Sequence, residues 1–291
     1  MRVGIFIEDM GKTVDEYFEE VKAARQAGFQ AVWLGERLSW DPLTLLAMTG
    51  REFPDITLGA AVVRTYPHHP LALAAQALTV GNRLVLGVGP SHPPLIQGQY
   101  GYSPDKPVRH IREYLTALVP LLHGESVDYH GETLTVNGQI VAAGSQPPPV
   151  LLAALGPQML KLAAELTDGT VTTWAGPKTI SDYILPTLEK NGTGTRVVSS
   201  ITVSVTDNPQ AARDRLNQTY PGANDMPSYR RVLDNEGVAT IGDTLIAGNE
   251  EEVAQELRRY REAGVSEIIA ILVGTAEEQR RTLTVLGEAR F

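Results

Sequence analysis

Apolar and polar residues follow two rhythms along this chain. Short runs rich in β-branched residues are separated by longer segments whose apolar positions recur three and four apart, the pattern of parallel strands joined by crossover helices. In the first unit Val3 to Ile7 reads as a buried strand. Thr13 and Glu16 then form a capping box, and Val14, Phe18, Val21 and Ala24 make one apolar face that ends at Gly28, the left-handed stop. Ala31 to Leu34 is the next strand. The series continues with strands at Ile56 to Val63, Leu84 to Val88, Val150 to Ala154, Thr170 to Trp174, Arg196 to Val205 and Ile268 to Val273.

The intervening helices are equally legible. Pro70 to Val80 places Leu71, Ala74, Ala75 and Leu78 on one face, and Val108 to Leu122 turns Ile111, Leu115, Leu118 and Leu122 inward, with Gly124 ending it. A third helix carries Leu160, Ala163 and Ala164. Asp207-Asn208-Pro209, Asn249 with Glu252, and Thr275 with Glu278 open the last three. Strands near residues 3, 31, 57, 84, 150, 170, 197 and 268 make eight, so the α/β pattern predicts closure into a (β/α)8 barrel, with residues 1–291 as one domain. Two stretches break the repeat. Val127 to Val136, turning at His130-Gly131, reads as an inserted hairpin. Tyr220 to Ala247 is rich in Gly, Pro and Asn with a helical piece at Tyr229 to Leu233, and reads equally as a mobile lid or a long surface connection.

Composition narrows the chemistry. With 43% hydrophobic and 20% charged residues the chain can bury a large core, and with no cysteine it has neither disulfides nor thiol catalysis. A formal net charge of -9, with no Lys/Arg cluster interleaved with aromatics, argues against nucleic acid. The apolar run at Val3 to Ile7 is too short for a signal peptide or membrane span, so the expected compartment is the cytoplasm and no membrane partner is expected. His68-His69 has no metal-ligand spacing with a carboxylate, so no metal is expected, and His69 before Pro70 reads as a helix start. Gly87-Val88-Gly89 lacks the third glycine and ribose-binding acid of a dinucleotide fingerprint, and neither a Walker loop nor G-x-S-x-G is present.

Barrel enzymes keep their chemistry at the C-terminal ends of the strands. Glu36 follows the second strand and His92 the fourth. His92 suits proton transfer near neutrality, and Glu36 could orient it or meet the substrate; a solvated loop histidine and a Glu36-Arg37 surface pair are the bland alternatives. Gly156 sits where a strand gives way to a helix, so backbone amides at the positive helix end could hold a phosphate without a basic side chain; a plain tight turn is the alternative. Trp40 and Asp41, in the second βα loop, are candidates for lining a substrate pocket.

Several blocks carry a resemblance in order and spacing. Leu58 to Val63, His69 to Ala74, Asn82 to Gly89, Pro107 to Leu115, Val150 to Pro157, and Ala247 to Val253 with Ala263-Gly264-Val265 together resemble the luciferase-like superfamily of flavin- and deazaflavin-dependent oxidoreductases. Gly87 to His92 and Leu155 to Leu160 are most similar to the actinobacterial members that use coenzyme F-420. The resemblance implies an oxidoreductase that passes hydride between the deazaflavin C5 and a small organic substrate. It places a ring-backing bulge at Ala60-Ala61-Val62, with a cis peptide at Ala61-Val62, and the cofactor phosphate at Gly156. Gly35, Gly89, Ala154, Leu155, Pro157 and Trp174 are implied as further cofactor contacts, and a homodimer is compatible with it. An FMN-dependent monooxygenase is the alternative within the superfamily, and a non-catalytic deazaflavin-binding protein is the alternative outside catalysis.

Overall fold

The computed structural model of the chain describes residues 1–288. Eight parallel strands close into a ring. They are β1 (Arg2–Phe6), β2 (Ala31–Leu34), β3 (Thr57–Arg64), β4 (Leu84–Gly89), β7 (Val150–Ala153), β8 (Gly169–Thr173), β9 (Arg196–Val205) and β11 (Glu267–Leu272), each paired with the next and β11 with β1. Between β4 and β7 lies the expected hairpin, β5 (Val127–His130) and β6 (Thr135–Gly138). A short strand not expected from the sequence, β10 (Ile246–Gly248), pairs with the far end of β9, because β9 is ten residues long and outruns its neighbours in the ring.

Helices cover the outside. These are α1 (Val14–Gln26), α2 (Pro42–Glu52), α3 (Pro70–Val80), α4 (Pro93–Leu95), α5 (Pro107–Leu122), α6 (Pro157–Leu166), α7 (Pro177–Thr179), α8 (Leu185–Asn191), α9 (Pro209–Thr219), α10 (Pro227–Glu236), α11 (Glu250–Glu262) and α12 (Ala276–Glu288). The capping boxes at Thr13/Glu16 and Asn249/Glu252 form as expected, and Thr275 and Glu278 exchange the same pair of bonds. Among the described residues no helix is long and apolar enough to cross a membrane.

Two helical faces differ from expectation. In α1 the buried stripe is Tyr17, Val21 and Ala24, with Val14 and Phe18 only half-buried; the Tyr17 hydroxyl reaches Thr49 at 2.8 Å, so a polar tip did not keep the ring out of the core. In α3 it is Leu73, Ala74, Ala77 and Leu78 that are buried, while Ala75 is exposed. Alanine and leucine on nearly every side of α3 leave its periodicity without contrast.

The core has two layers. Outside the barrel, apolar side chains of strands and helices form one large cluster. Inside, Phe6, Trp33, Val85, Leu151, Val171, Val198 and Ile269 fill the ring. Trp33 is fully buried toward the N-terminal end, where its indole Nε1 donates to Glu267 at 3.1 Å, and Glu267 also accepts from Arg196 at 2.8 Å. A Cβ on Gly59 would overlap the Trp33 ring, so glycine there is what lets the indole lie flat across the barrel. The bottom is thus plugged, and the mouth at the other end is left open to chemistry.

The stretch from Tyr220 to Ala247 is a folded insertion. Leu216, Ala223, Leu233, Ile241 and Leu245 form a third cluster, against which Trp174, Tyr220, Tyr229 and Val273 pack. The helical piece expected at Tyr229 to Leu233 is α10, extended at both ends. A small core of its own joins α9 to α10, and Tyr229 of α10 reaches His92 and Trp174 at the barrel mouth.

Candidate active site

The C-terminal ends of β3, β4 and β7 make a floor of small side chains. The register of β3 against β4 shifts between Ala60 and Val63, a bulge that turns Ala61 and Val62 partly into the mouth, and the Ala61–Val62 peptide is cis as the resemblance implied. A Cβ built on Gly89 would stand 3.0 Å from the Ala153 Cβ and 3.2 Å from Val62 Cγ2. Glycine in the middle therefore keeps Val62, Gly89 and Ala153 level, as a flat ligand requires. A Cβ on Gly35, the residue after β2, would stand 2.9 Å from the Ala61 carbonyl oxygen, so glycine there leaves room for the bulge, at whose start Ala60 is buried.

At the β7 end of the floor, Ala154 and Leu155 lead to α6. Helices α1, α2, α3, α9 and α11 each begin with a side-chain cap, from Thr13, Asp41, His69, Asn208 and Asn249. Gly156, the N-cap of α6, offers none, and Pro157 at the first position has no amide to satisfy. The amides of Gln158 and Met159 are left for an external acceptor, at the positive end of a ten-residue helix. No atom lies within 4 Å of a Cβ built on Gly156, so there is room for that acceptor.

Above β2 and β3 the polar side chains converge on Glu36. Its Oε2 accepts from the Arg64 amide at 2.7 Å and lies 3.3 Å from His68 Nε2, and its Oε1 accepts from the Tyr100 hydroxyl at 3.4 Å. The Arg64 guanidinium reaches Gln99 at 3.0 Å and Tyr100 at 3.3 Å. The hydrogen bond that His68 donates to the Glu36 carboxylate, outweighing the penalty of burial, raises the His68 pKa above its ordinary value. Glu36 does not pair with Arg37, which instead binds Glu8 and stacks over Phe6 at 4.9 Å. Nor does a hydrogen bond join Glu36 to His92 among the described residues, so Glu36 does not orient that ring.

His92 finds its partner in the insertion. Its Nε2 is 2.8 Å from the Tyr229 hydroxyl, and the rings meet edge to face at 5.2 Å. Burial first, and then the charge of Arg64, lower the His92 pKa. Tyr229 also packs edge-on against Trp174 at 4.6 Å, and Trp174 against Tyr220 at 5.4 Å. Trp174 holds φ 53° just past β8, and Ser91, next to His92, holds φ 63°. Left-handed backbone in a non-glycine residue is costly and concentrates where a site imposes it. On the far wall Thr202 and Ser204, on the face of β9 that carries Val198 inward, have buried hydroxyls with no partner among the described residues.

Trp40 and Asp41 stand at the rim with structural tasks. Trp40 donates to the Lys12 carbonyl at 2.9 Å and is 45% exposed, and Asp41 caps α2 through Thr44 at 2.7 Å. His69 accepts from the Leu71 amide, the helix-start role read for it. Sequence reasoning missed Arg64, His68, Tyr100 and Tyr229. For His68 a signal existed: it lies four residues past β3, on the same face as Glu36 and His92.

The chain is 26% identical to a 5,10-methylenetetrahydromethanopterin reductase of Archaeoglobus fulgidus, over 93% of each chain. It is 26% identical to an F-420-dependent glucose-6-phosphate dehydrogenase of Nakamurella multipartita, over 91% of this chain and 88% of the other. Its fold matches that of an F-420-dependent secondary alcohol dehydrogenase solved with an F-420-acetone adduct, with a TM-score of 0.81 and 17% identity over 99% of this chain and 98% of that one. The family model described as luciferase-like monooxygenase matches residues 1–267, and the chain belongs to that family.

Proposed function

We propose that the chain is a coenzyme F-420-dependent oxidoreductase that moves hydride between the deazaflavin C5 and a small organic substrate. The observation that carries this reading is the level floor Val62–Gly89–Ala153 ending at the uncapped start of α6: a seat for a planar ring with an anion site at one end. The F-420-dependent glucose-6-phosphate dehydrogenase relative, aligned over about nine tenths of the chain, favours F-420 over FMN as the occupant.

When bound, the deazaflavin supplies the hydride; placement, dryness and proton transfer fall to the protein. Ala60, Ala61 and Val62 back the ring, with Gly35 and Gly89 keeping the approach open. Ala154, Leu155, Gly156 and Pro157 hold the phosphate through the free amides behind them. Trp174 flanks the ring. His92, neutral near pH 7, exchanges a proton with the substrate, and Glu36 with His68 forms the opposite polar wall. Trp40 and Asp41 lie at the substrate entrance.

With oxygen excluded, reduced F-420 and a panel of small carbonyl compounds, or oxidised F-420 and the matching alcohols, are expected to give a change in deazaflavin absorbance that depends on the protein. Turnover seen only with reduced FMN and accompanied by oxygen consumption would replace this reading with a monooxygenase.

A further inference from the structure

The pairing of His92 with Tyr229 joins two parts of the chain 137 residues apart, the loop after β4 and helix α10 of the insertion. Left-handed backbone lies beside the contact on each side, at Ser91 preceding the histidine and at Trp174, whose ring packs on the tyrosine. We infer that Tyr229 is a positioning residue for His92: its hydroxyl donates to Nε2, which fixes the neutral ring with its proton on Nδ1 and makes that state depend on the docked insertion.

The direction of the bond follows from what each group can do. Burial pushes the Tyr229 hydroxyl up to about 12 and lowers the His92 pKa, so near neutrality both are uncharged and each carries one proton. Tyr229 has no other acceptor among the described residues. If Nε2 carried the ring proton, the tyrosine proton would be left in a part-buried site without a protein acceptor among the described residues, whereas a hydroxyl donating to a bare Nε2 satisfies both groups. The titratable groups facing His92 are Arg64 from β3 and Tyr229 from α10. Arg64 disfavours a second proton on the ring by charge, and Tyr229 disfavours it by occupying the nitrogen that would accept it.

A tyrosine that only filled space would leave the tautomer untouched, which separates the two roles. The full chain labelled with 15N-histidine is to be examined by long-range proton–nitrogen correlation, with His92 identified by the signals lost in His92→Gln. In the parent protein Nε2 is expected to be the bare nitrogen. In Tyr229→Phe, which keeps the ring against Trp174, the ratio of the two tautomers is expected to fall by roughly fivefold, the factor one net hydrogen bond carries, and the His92 titration midpoint to rise. Circular dichroism and melting temperature establish that the variant is folded. An unchanged tautomer and midpoint in folded Tyr229→Phe would overturn the inference. The importance of this positioning rests on His92 as the proton-exchanging group of the proposed function, its Nδ1 proton passing to the substrate as the Tyr229 hydroxyl proton moves onto Nε2. Full turnover in His92→Gln would remove that reading and leave the nuclear resonance result standing by itself.

Discussion

Replacing Gly156 with aspartate is expected to weaken F-420 binding by about 30-fold while leaving the protein as stable as before or slightly more so. The two effects have opposite signs because they act on the same amides. Aspartate is a favoured N-cap, and the extended backbone of Gly156, φ -96° and ψ 157°, accepts it with nothing in the way, so α6 gains a few tenths of a kcal/mol. That carboxylate then takes the donors the phosphate needs and adds a like charge beside it, which at a partly solvated site costs binding about 2 kcal/mol. Thermal melts and deazaflavin titrations on the same preparation check both halves. Unchanged affinity in a stable Gly156→Asp protein would move the phosphate away from α6.

Removal of Glu267 is expected to have the largest effect on stability. Its side chain is 1% exposed and holds both Trp33 Nε1 and Arg196, so Glu267→Ala leaves an indole N–H and a guanidinium unpaired at the plugged end of the barrel. Breaking such a buried pair costs about 3–5 kcal/mol, and the Glu267→Gln variant, which retains an acceptor for Trp33, should lose less. Denaturant midpoints of the three proteins measure this. A loss under about 1 kcal/mol for alanine would mean that packing of Trp33 alone holds the plug.

These two sites differ in how far the sequence revealed them. The helix start at Gly156, on which the proposed phosphate site rests, was legible because a strand end, a glycine and a proline are neighbours in the chain, and the physics of a helix terminus is local. The capping boxes were legible for the same reason, and the eight strands because β-branched runs contrast with helical period. Glu267 was not, since it lies 234 residues from Trp33 and only closure of the ring brings them together. Glu36 and His92 were correctly assigned to the C-terminal face by their position after strands, but their partners were misjudged. For Glu36 the sequence offered His92 or the substrate, with a surface pair to Arg37 as the bland alternative, whereas the end of β3 and the loop after it supply the Arg64 amide and His68. His92 took Tyr229 from an insertion whose sequence is rich in turn residues and whose small core is visible only once folded. The face of α3 was lost to uniform apolarity, a lack of contrast that no periodicity analysis can recover.

The central claim is that the floor across β3, β4 and β7 and the open start of α6 form a seat for a deazaflavin. Side-by-side titration of the purified chain with F-420 and with FMN, followed by fluorescence quenching, tests it most directly. Saturable quenching of F-420, with FMN binding at least about tenfold weaker, a difference of some 1.4 kcal/mol, is the predicted result. Tight binding of FMN with none of F-420 would contradict it.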